Sequence, residues 1–117
     1  MALIFFTDKA KALLSAFEER IAQEDPKAKI RTWKKTKKGN FTHVSEQWGK
    51  KAFFKPKTLD DRLIFNIIPL ARSEVSVEQY AFYHGHLTET FIVHFSGKFV
   101  KAVSTAKPTK NDKMKSS

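Results

Sequence analysis

The chain has 117 residues, a net charge of +10, 41% hydrophobic and 29% charged residues, and no cysteine. That is enough chain for one domain with its own core, and it excludes a disulfide, a thiolate metal site and a cysteine nucleophile. Eleven phenylalanines exclude the composition of a disordered chain.

The apolar opening Met1 to Phe6 reads as a first strand from Leu3 to Phe6. Asp8 and Lys9 cut it short, below the length of a signal h-region or a membrane span, so a soluble, cytoplasmic protein with no membrane contact is expected. Thr7 is a suitable N-cap for a helix over 8–24, and Asp8 suits the positive end of its dipole. Ala10, Leu13, Leu14, Phe17 and Ile21 share one face, and Asp25-Pro26 stops the helix. Lys29 to Lys35 and Phe41 to Trp48 read as a hairpin around Lys37-Lys38-Gly39-Asn40. A short aromatic strand, Ala52 to Lys55, is expected to end at Pro56. Arg62 to Ile68, apolar on both faces except at Asn66, reads as a central strand covered on both sides.

Residues 76–96 read as a second helix. Ser76 and Gln79 form a capping box, and Val77, Tyr80, Ala81, His84, Leu87, Thr88, Phe91, Ile92 and Phe95 share an arc, with Gly97 as the stop. Gly85 weakens that helix and is expected where its backbone approaches the sheet. Lys98 to Thr105 alternates as a last strand. The expected architecture is α+β: one mainly antiparallel sheet of about five strands with two amphipathic helices on one face. Residues 1–105 form the domain, and 106–117 form a disordered lysine-rich tail.

The charge is unevenly placed. Residues 26–57 hold eleven Lys and Arg against the single Glu46, a net +10, while 1–25 carry −2, 58–105 carry −1 and the tail carries +3. The basic stretch also carries aromatics: Trp33, Phe41, Trp48, Phe53 and Phe54. Lysines neutralise phosphates and aromatic faces stack on unpaired bases, so Arg31, Trp33, Lys34, Lys35, Lys37, Lys38, Lys50, Lys51, Lys55 and Lys57 are the candidate contacts to nucleic acid or another polyanion. The alternatives are an acidic protein partner, or a solvated edge that prevents strand aggregation. Lys38-Gly39-Asn40-Phe41 departs from the RNA-binding K-G-F-G pattern after two residues.

On a helix His84 faces the packed side, while His86 and His94 diverge, so no metal site is expected and no cofactor motif is present. Asn66, between Ile64 and Ile68, needs a partner, and Tyr80 or His84 would serve, making Asn66, Tyr80 and His84 a possible pocket. Phe82, His86 and Val93 on the outer side of the second helix, with the two-sided strand, suggest a homodimer. With no nucleophile and no glycine-rich phosphate loop, binding or interaction is favoured over catalysis.

Overall fold

Alternating side chains set the first strand, β1 (Ala2–Phe6): Leu3 and Phe5 are fully buried, while Ile4 and Phe6 on the other face are half-buried. It opens a computed structural model that describes residues 2–115. After it come α1 (Ala10–Ala22), β2 (Trp33–Lys35), β3 (Phe41–His43), β4 (Ala52–Thr58), β5 (Arg62–Pro69), α2 (Val77–Phe95) and β6 (Lys101–Ser104). The strands form one antiparallel sheet in the order β2-β3-β4-β5-β1-β6, six strands where about five were expected. The class is α+β.

Both helices lie on the same face of this sheet. Phe17 of α1 and Phe91 of α2 have ring centroids 4.9 Å apart, and each reaches Phe65 of β5, at 6.0 and 5.6 Å. Phe91 also stacks on Phe5 at 4.2 Å. Each such ring contributes roughly 1.5–3 kcal/mol by leaving water, so this aromatic layer is the main adhesive between helices and sheet.

Several elements differ from the sequence expectation in instructive ways. Helix α1 starts at Lys9 as N-cap, with no acidic residue in its first turn, because Thr7 spends its hydroxyl accepting the Lys9 N–H at 3.1 Å and its own N–H on the Asp61 carbonyl. Strand β4 runs through Pro56 instead of ending there. Strand β3 pairs with it only at Phe54, so the edge at Pro56 needs no N–H donor. Helix α2 forms as read, with its capping box between Ser76 and Gln79. Gly85, however, is exposed and nothing lies near the position a Cβ would take, so no close approach explains it. Val77 and Ile92, assigned to the packed arc, are exposed. Two other glycines are required: Gly39 has φ +83° in the turn between β2 and β3, and a Cβ on Gly49 would strike the carbonyl oxygens of Ser45 and His43.

Strand β5 is central, but both helices cover the same one of its faces, so the second face is covered only in part, over Asn66, by the C-terminal segment. On its other face Ile64 and Ile68 are half-buried. The segment after β6, expected to be disordered through 117, is attached across this face as far as Lys115; Ser116 and Ser117 lie outside the described residues. The described part of β1 pairs with β5 as far as Ala2 opposite Asn66, and the next residue of β5, Ile67, takes its backbone partners from this segment. Asp112 accepts the Ile67 N–H at 2.9 Å, and the Lys113 N–H donates to the Ile67 carbonyl at 2.9 Å. The Val75 N–H donates to the carbonyl of Met114, which packs on the core. The physical reason is that the backbone N–H and carbonyl of Ile67 need partners, and this segment supplies both.

Candidate polyanion-binding face

Residues paired directly across a sheet share a face, and so the register defines the open side. Phe53, Lys55 and Lys57 of β4 stand opposite Ile68, Asn66 and Ile64 of β5, and Ile64 stands opposite Ile4 of β1. This face carries two adjoining clefts. One, about 400 Å³, is lined by Phe53, Ile68, Pro69, Leu70 and Ala71 with Thr36, Lys37, Lys38 and Asn40 from the β2–β3 turn. The other, about 360 Å³, lies between Lys55, Pro56, Lys57 and Asn66 on the sheet and Lys110, Asn111 and Lys113 on the C-terminal strap. No acidic residue lines either.

Asp112 is the nearby carboxylate, and it is committed to holding the strap. It accepts from Asn66 Nδ2 at 3.0 Å, the Ile67 N–H, the Thr109 N–H at 2.8 Å and Thr109 Oγ1 at 3.0 Å. Burial pushes its carboxyl up to about 6, against the opposing pull of the backbone N–H groups of Thr109 and Ile67. The amide of Asn66 also donates to Thr109 Oγ1 at 3.2 Å. Its partners are therefore strap residues on the open face, where Tyr80 or His84 had been expected.

The ten candidate contacts in 31–57 divide. Lys37, Lys38, Lys55 and Lys57 line the clefts, whereas Lys34 is exposed on the outermost strand and lines neither. Trp33 itself is 1% exposed. Its indole N–H donates to Thr90 Oγ1 at 3.2 Å, so the ring belongs to the core and cannot stack on a base. Lys35 is held in an ion pair by Glu18 of α1, on the helix side. Arg31, Lys50 and Lys51 are exposed but line neither cleft; the loop that carries Lys50 and Lys51 folds against α2 through Trp48 and Phe82. Lys110 and Lys113 belong to the lysine-rich tail, from which only non-specific attraction is expected; without periodicity the tail gives no sign that they, with Asn111, line a cleft.

The possible pocket of Asn66, Tyr80 and His84 does not assemble. Tyr80 and His84 stack at 3.6 Å on the helix side, with Tyr80 bonded to the Thr105 carbonyl at 2.9 Å and His84 packed edge-on against Phe54, whereas Asn66 faces the other way. His86, read as an exposed outer residue, is half-buried. Trp48, Phe82 and His86 form a parallel stack, with centroids 4.5 and 5.3 Å apart and 8° between planes in both pairs. His43 meets His86 edge-on at 4.6 Å. Burial, and next the neighbouring His86, lowers His43 to about 4, so it is neutral at physiological pH. Of the possible interface residues Phe82, His86 and Val93, only Val93, 70% exposed, remains open. Among the described residues there is no group of three or more His, Cys, Asp or Glu arranged to hold a metal, and no helix long and apolar enough to cross a membrane.

Comparison of this chain with protein-family models, curated proteins and solved structures returned no match. The functional reading therefore rests on the geometry.

Proposed function

We propose that this protein binds a polyanion, nucleic acid foremost, on the open face of its sheet. One observation carries the reading: lysines from three separate stretches, Lys37 and Lys38, Lys55 and Lys57, and Lys110 and Lys113, line two adjoining clefts that no carboxylate lines. Cations gathered at one face raise the local concentration of anions and release counterions on binding, which makes affinity steeply salt-dependent. The test is binding to labelled nucleic acid and to inorganic polyphosphate between about 50 and 200 mM salt, with two charge-reversed proteins. Reversing Lys57 and Lys110 to glutamate should weaken binding by at least about tenfold, and reversing Lys50 and Lys51 should change it little. The opposite ranking, or no binding to any polyanion, overturns the proposal.

A second reading, a homodimer, is favoured by the row Val103, Ile4 and Ile64, an apolar strip across three strands that no helix covers. Val103 is 40% exposed. Sedimentation decides it: a dimer mass that reverts to 13.5 kDa in Ile64→Lys supports sheet-to-sheet association, and a monomer at all concentrations removes it.

A further inference from the structure

We infer that the ligand is single-stranded nucleic acid, with one unpaired base in the groove of Phe53, Ile68, Pro69 and Leu70 and its neighbouring phosphates among Lys55, Lys57, Lys110 and Lys113. This rests on the polyanion reading above and names its substrate class. The register sets the groove and the cationic cleft next to each other. Phe53 and Lys55 are two residues apart on one face of β4, a separation of about 6.8 Å, and their β5 partners Ile68 and Asn66 repeat the step alongside. An anion held at Lys55 and Lys57 therefore has an apolar slot directly beside it.

The slot has the chemistry of a base and not of a phosphate. Its floor is aromatic and aliphatic, Leu70 at its edge is 43% exposed, and Lys37, Lys38 and Asn40 at the rim supply donors and an acceptor for base edges. A duplex hides its base faces in the stack, so it can use the lysines but not the groove. A bare polyanion likewise leaves the groove empty. Among nucleic acids and bare polyanions, only a strand with unpaired bases uses both clefts together.

The test measures anisotropy with a labelled oligothymidylate of about 12 nucleotides, an abasic strand of equal length, a duplex, inorganic polyphosphate and polyglutamate as competitor. The base-bearing strand should bind on the order of tenfold more tightly than the abasic strand, and Phe53→Ala should remove that advantage without altering abasic binding. Phe53→Leu, which keeps the apolar bulk without the ring, guards against misfolding; it should lose most of the advantage while melting near the parent temperature. Phe53→Tyr should retain it. If abasic strand and polyphosphate bind as tightly as oligothymidylate, and the Phe53 variants change nothing, the inference fails while the polyanion reading stands. A duplex binding as tightly as the single strand also overturns it, and polyglutamate competing as well as the strand shifts the site to acidic polypeptides. If nothing binds, both readings fall.

Discussion

Removing the Asp112 carboxylate should release the C-terminal strap while leaving the domain folded. Two of its hydrogen bonds, from the Ile67 N–H at 2.9 Å and Asn66 Nδ2 at 3.0 Å, join the strap to β5, and the two from Thr109 shape the strap itself. At about pH 7.5 the carboxyl, raised to about 6, is ionised, and bonds to an ionised group contribute roughly 1.5–3 kcal/mol each before the lost burial cost is credited back. Because folding raises this carboxyl from 3.8 to about 6, its ionised form carries a burial cost of about 3 kcal/mol that offsets part of the two cross-links, and a net loss of about 2 kcal/mol in Asp112→Ala is expected. The remaining backbone links, Lys113 to Ile67 and Val75 to Met114, cannot compensate. Native-state hydrogen exchange reads this directly: about 2 kcal/mol of local opening corresponds to roughly thirtyfold faster exchange at Ile67, Lys113 and Val75, with Phe65 and Phe91 unchanged. Because Lys110 and Lys113 then leave the cleft, the salt slope for a single strand should fall by about 1.4, two contacts at about 0.7 each. Unaltered exchange at Ile67 and Lys113 would refute the role given to Asp112.

Two further perturbations probe the core beneath the site. The unfolded chain protonates His43 near 6.5, whereas the folded chain resists until about 4, so stability is level above 6.5 and falls as pH drops toward 4. Urea unfolding should show this residue contributing about 2 kcal/mol of the loss between pH 7.5 and 5, a contribution absent in His43→Gln. Trp33→Ala should destabilise by about 3–5 kcal/mol, whereas Trp33→Phe should cost less and leave polyanion affinity intact; a folded Trp33→Phe protein that loses affinity would return the ring to the binding face.

The sequence carried most of the fold because its strong signals are local. The capping box at Ser76 and Gln79 and the apolar arc behind it define α2, and the alternation in β1 and the run in β5 define the middle of the sheet. What it concealed was non-local. Lys35 and Lys37 look equivalent in a basic run, yet one faces Glu18 and the other lines a cleft, because strand alternation and a tight turn send them different ways. Trp33 reads as an aromatic among lysines; only its position opposite His43 and beneath Tyr83 makes it core. Asn66 was legible as a polar residue needing a partner, but not the partner, which arrives from 46 residues downstream. The lysines of the strap became site residues only because the backbone of Ile67 in β5 bonds to Asp112 and Lys113.

The face assigned to the ligand can be located without prior choice of residues by following backbone amide shifts during titration with an unlabelled single strand. The largest changes should fall in 53–58, 64–70 and 109–114, with Lys37 and Lys38 also responding and α1 silent. Changes confined to the 44–51 loop and the exposed side of α2 would contradict this expectation, because they would place the ligand on the opposite side of the molecule from both clefts.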